Sequence, residues 1–90
     1  MAPVDNWKGH IRALIYGVQF EADPLDGADR VLQQVVQGRA LGATPAQYLA
    51  SIGTALAGAA PLADLIPQGH SEETIRQFLR ELERRIEGIV

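Results

Sequence analysis

Ninety residues, 47% of them apolar and with a formal charge of −3, make a folded chain that is too small for a deep cleft between two lobes and too apolar for a disordered tail. The absence of cysteine excludes disulfides, thiolate nucleophiles and nearly every structural zinc design, so core packing must supply the stability. The acidic balance disfavours general affinity for phosphate backbones and points to a neutral or basic partner.

The opening MAPVDNWKGH lacks the basic region and apolar run of a secretory signal. No apolar segment reaches the roughly 20 residues of a membrane span, so no membrane partner and a cytoplasmic location are expected. Seven arginines against one lysine, with abundant alanine and glycine, match the bias of GC-rich bacterial coding sequences.

Asp5 or Asn6 can cap a first helix, in which Trp7, Ile11, Leu14, Ile15 and Val18 share one apolar face. A competing strand reading comes from the alternation of Leu14, Tyr16, Val18 and Phe20, but only the helical period also explains Trp7 and Ile11. From Glu21 to Asp29 the chain reads EADPLDGAD, a connecting loop with breakers at Pro24 and Gly27. Asp26 is the expected N-cap of helix two, with Asp29 in its first turn, where the helix dipole favours an anion. Helix two then carries Val31, Leu32, Val35, Val36 and Leu41 inward and Arg30, Gln33, Gln34 and Gln37 outward, ending at Gly38 and Gly42.

No charge lies between Arg39 and Asp64, and this stretch should form the central helix of the fold. Thr44, Pro45 and Gln47 combine an N-cap hydroxyl, a proline at the first helical position and the second half of a capping box. Tyr48, Leu49, Ile52 and Leu56 follow at helical spacing, while Ala50, Gly53, Thr54 and Ala57 let neighbours approach closely. Gly58 and Pro61 break the pattern, a short helical turn is expected near residues 61–66, and Pro67 stops it. Ser71 then caps a last helix, with Glu72 and Glu73 in the first turn and Ile75, Leu79, Leu82, Ile86 and Ile89 on one stripe beside Phe78. Glu72 with Arg76 and Glu81 with Arg85 read as surface pairs worth about 0.2–0.5 kcal/mol each. The expected fold is all-α: a bundle of about four helices with a short extra turn, residues 1–90 forming a single helical domain.

The run from Arg39 to Leu49, RALGATPAQYL, resembles the turn of a helix-turn-helix DNA-binding motif: leucine, glycine, a small residue, a capping hydroxyl, then a second helix. The resemblance implies a recognition helix whose early residues are Pro45, Ala46, Gln47 and Ala50. Only Gln47 among them can make a bidentate base contact, and no cation lies on that helix. A simple helix–turn–helix packing unit accounts for the same residues, and nucleic acid is not the expected partner.

His10 and His70 have no ligand-spaced companion, and the carboxylates after Phe20 do not follow the spacing of a calcium loop, so neither metal nor cofactor is expected. Ser51 and Ser71 have no acid–base partner at a recognised spacing, and the glycines lack the lysine of a phosphate loop. The chain therefore reads as a non-enzyme. Its candidate site is the acidic group Glu21, Asp23, Asp26 and Asp29, as a contact patch for a basic protein. On this reading the chain is a protein-binding module of the inhibitor, immunity or antitoxin kind. The alternatives are a DNA-binding regulator using residues 39–49 and a homodimerisation module using the C-terminal helix.

Overall fold

The computed structural model describes residues 6–37 and 44–89. Among these residues there are four α-helices: α1 (Asn6–Tyr16), α2 (Ala28–Val36), α3 (Pro45–Ala57) and α4 (Glu72–Glu87). A 3-10 turn at Pro24–Gly27 leads into α2 and a second at Leu62–Asp64 links α3 to α4. The fold is all-α, with no strand among the described residues. Asp5 and the side chain of Asn6, the end of helix two from Gly38 to Gly42, the contribution of Leu41 and the turn within the 39–49 segment lie outside the described residues.

Helix α3 is central because it packs against both α1 and α4, while α2 and the first 3-10 turn lie on α4. Its start follows the sequence: the Thr44 hydroxyl accepts from the Gln47 amide at 3.1 Å, and the Gln47 side chain accepts from the Thr44 amide at 2.8 Å. Tyr48, Ser51, Ile52 and Ala55 are the buried residues of this helix. The α4 stripe of Ile75, Phe78, Leu79, Leu82 and Ile86 meets them from one side, and Ile11, Leu14, Ile15 and Val18 from the other. Fully burying one such side chain contributes about 1.5–3 kcal/mol gross, which makes this cluster the main source of stability.

Several local expectations are corrected. The first helix forms as preferred over a strand but ends before Val18: α1 runs through Tyr16 and hydrogen-bonded turns follow, leaving Tyr16 and Phe20 exposed while Leu14 and Val18 are buried. Asp26 does not cap α2: the N-cap is Gly27, with no side-chain bond, and the capping carboxylate belongs to Asp23, which accepts from the Leu25 amide at 3.0 Å. The chain inserts a 3-10 turn where a direct loop-to-helix entry was expected, so the cap lies one element earlier. Val36 and Ile89, both expected inward, are about half exposed at the ends of their helices.

The pair Glu72 and Arg76 does more than decorate a surface. Glu72 Oε2 and Oε1 accept from the Leu62 and Ala63 amides at 3.0 and 2.8 Å, which anchors the start of the second 3-10 turn. Arg76 Nε donates to Glu72 at 2.8 Å, and its terminal nitrogens donate to the carbonyls of Leu56, Gly58 and Ala60 at 3.1–3.4 Å. These are the carbonyls that α3 and its exit leave without helical partners. One ion pair thus closes the C-terminal end of α3 and opens the next turn. Burial pushes the Glu72 carboxyl upward, but the Ala63 and Leu62 amides and Arg76 outweigh it and hold the group below the usual glutamate range.

Candidate functional site

The four carboxylates of the acidic segment have different fates. Glu21 lies 3.0 Å from Arg30, which also donates to the Gly17 carbonyl at 2.6 Å and so ties the exit of α1 to α2. Asp29, in the first turn of α2, pairs with Arg85 near the end of α4. Asp23 spends one oxygen on the 3-10 turn. The Asp26 side chain is exposed and has no ion pair or hydrogen bond among the described residues. Two of the four charges are therefore matched by guanidinium groups, and the solvent-directed part of the patch narrows to Asp23 and Asp26.

The turn that carries them is pinned: Pro24 and Gly27 are buried, and a Cβ on Gly27 would meet Val18 Cγ1 at 2.8 Å. Close approach of this backbone to the core is why glycine stands there. On either side of Asp23 the chain leaves apolar side chains in solvent, Phe20 at 94% exposure and Leu25 less fully. Tyr16, 64% exposed, lies one helical turn before Phe20 in sequence. It lines an open, mainly apolar trough of about 430 Å³ with Gly9, Arg12, Ala13 and Ile66. Sequence reasoning did not single out Phe20 and Tyr16 as contact residues; the signal that could have found them is that both fall off the helical face shared by Ile11, Leu14, Ile15 and Val18.

The histidines are integrated rather than free. His10 Nδ1 lies 2.7 Å from the hydroxyl of nearly buried Ser51, and its ring sits 5.1 Å from that of Tyr48, whose hydroxyl burial holds its pKa above the ordinary value. Ser51 thus does have an imidazole partner, 41 residues away in sequence, which no spacing rule brings into view. The pair bridges α1 and α3 inside the bundle, where burial favours a satisfied polar contact. His70 Nε2 is 3.0 Å from the Val18 carbonyl, closing the last loop over the end of α1. No group of three or more His, Cys, Asp or Glu side chains among the described residues is placed to hold a metal ion.

On α3, the Gln47 side chain is engaged in the capping box, so its carbonyl is not available for a base edge without opening the helix start. The apolar stripe of α4 is buried within the chain, which leaves Ile89 and a charged outer face for any contact through that helix. On that outer face hydrogen bonds from Arg84 and Arg85 hold Glu81 down at about 2. No helix among the described residues is long and apolar enough to cross a membrane.

No protein-family model matches this chain, and neither a curated protein nor a solved structure matches it.

Proposed function

We propose that the chain is a small protein-binding module of the inhibitor, immunity or antitoxin kind, which neutralises a basic partner through Phe20, Asp23, Leu25 and Asp26. The observation that carries this reading is the pinned turn: Pro24, Gly27 and the Asp23 cap hold a backbone that bears two carboxylates without a cation partner among the described residues, just after Phe20, whose ring is 94% exposed. Ordering loops on association costs free energy, and a turn already fixed in the free protein avoids much of that cost. Exposed aromatic side chains are common centres of binding energy, and carboxylates beside them steer a cationic partner into contact. A chain without cysteine also suits the reducing cytoplasm of a bacterial cell.

The test begins with the partner that co-purifies stoichiometrically with the wild-type chain, followed by its association kinetics with variants. Phe20→Ala should speed dissociation by about tenfold or more, as truncation of a central aromatic does. Asp26→Lys should slow association and reduce its salt dependence while leaving the fold intact, since Asp26 supports no other group. Unchanged kinetics for both variants would remove this surface from the reading.

A further inference from the structure

We propose that the outer face of α1, with the turn that follows it, docks onto a second copy of the same chain about a two-fold axis. Charge is segregated along this segment. Helix α1 carries Lys8 and Arg12 and no carboxylate, whereas residues 21–29 carry four carboxylates and no cation. Between the two halves stand Tyr16 and Phe20, 64% and 94% exposed.

Within the chain Arg30 and Arg85 neutralise Glu21 and Asp29, and the charges left unmatched among the described residues are Lys8 and Arg12 at one end and Asp23 and Asp26 at the other. Lys8 lies over its neighbour Trp7 at 5.8 Å, and Arg12 reaches only the Leu65 carbonyl at 3.4 Å, so neither meets a carboxylate among the described residues. Asp23 and Asp26 likewise meet no cation there. Elsewhere Arg30, Arg76, Arg84 and Arg85 all have carboxylate partners within the fold. Arg80 lies on α4, a helix that also carries several glutamates.

Reversed against a second copy, this order of cationic, aromatic and acidic residues along the segment is complementary to itself. Antiparallel apposition sets Lys8 and Arg12 of each copy against Asp23 and Asp26 of the other, and a two-fold axis makes every such contact twice and closes the assembly. The trough lined by Gly9, Arg12, Ala13, Tyr16 and Ile66 gives an incoming ring from the other copy a place to lie. A partner of one charge sign would be attracted to one half and repelled by the other, so the self-pairing uses the whole face where a basic protein uses part. The segment is short, which puts the contact at the low end of specific interfaces, about 1,200 Å² in total, and makes the dimer weak and salt-sensitive.

The dimer would cover the turn assigned above to a basic partner, but it needs no partner to be observed. Sedimentation equilibrium of the purified full chain should give a monomer–dimer equilibrium that shifts to monomer at high salt. Arg12→Glu and Asp26→Lys should each weaken it by about tenfold or more, since each places two like-charge contacts across the axis. An equimolar mixture of the two variants should restore a dimer near wild-type strength, because one altered contact then becomes Glu against Lys and the other stays native. All substituted side chains are solvent-facing, and unchanged helical circular dichroism controls for folding.

A monomer at every concentration would overturn the proposal, as would a dimer indifferent to both variants or a mixture that fails to recover. A dimer lost only on Ile89→Ser would assign self-association to α4 instead. Partner kinetics unchanged by Phe20→Ala and Asp26→Lys, with the self-association behaving as expected, would fault the partner reading alone.

Discussion

Removing the Glu72 carboxylate tests whether one ion pair fastens the connection between α3 and α4. In Glu72→Ala the amides of Leu62 and Ala63 lose a charged acceptor at 3.0 and 2.8 Å, and Arg76 loses its counter-charge. Hydrogen bonds to charged groups are worth about 1.5–3 kcal/mol each, or about 3–6 kcal/mol for two. The Glu72 side chain is 38% exposed, so water replaces part of this. Halving the sum for that access leaves an expected loss of about 1.5–3 kcal/mol. The control is Glu73→Ala, an exposed first-turn carboxylate whose loss costs only the dipole term of about 0.3–1 kcal/mol. Chemical denaturation of both variants measures the difference, and native-state hydrogen exchange should show protection lost at the Leu62 and Ala63 amides. If the two variants fall within about 0.5 kcal/mol of each other, the pair is a surface pair after all and the latch is refuted.

Leu82→Ala should cost about 2–5 kcal/mol in denaturant unfolding, because Leu82 is fully buried at the middle of the α4 stripe and its loss leaves a cavity. Gly27→Ala should cost about 1–3 kcal/mol although its φ of −95° suits any residue, because the new methyl meets the buried Val18 side chain. Gly9→Ala should go the other way and raise stability by about 0.5–1 kcal/mol, as a helical position with nothing within 4 Å of the added carbon. Glu72 and Glu81 are both held below the ordinary value of 4.5, Glu81 at about 2 through hydrogen bonds from Arg84 and Arg85. The folded chain therefore binds fewer protons than the unfolded one in that window. The melting temperature should fall as pH drops from 4.5 toward about 2, and Glu81→Gln should flatten that fall; a flat profile in the wild type would refute it.

The candidate site was legible in part. The acidic residues stood out as a group, whereas Tyr16 and Phe20 entered the sequence reading only through the strand alternation and not as contact residues. The assignment of each carboxylate was not legible, because Arg85 lies 56 residues from Asp29 and only the docking of α2 on α4 brings them together. The expected cap role of Asp26 falls instead to Asp23, Glu21 is paired with Arg30, and Asp26 is left without an ion pair among the described residues.

By itself the sequence determined the helices, because their signals act within one turn. The Thr44 and Ser71 caps bond to the amides three residues on, and the spacing of Ile75, Leu79, Leu82 and Ile86 follows from 3.6 residues per turn. Only the tertiary structure decided which polar groups are fixed. Arg76 reads as half of an i,i+4 pair until the exit of α3 is folded back against it, and Ser51 has no partner until α1 crosses α3. Those contacts depend on where the chain goes between helices, a path set by the summed burial of the core rather than by any local residue pattern.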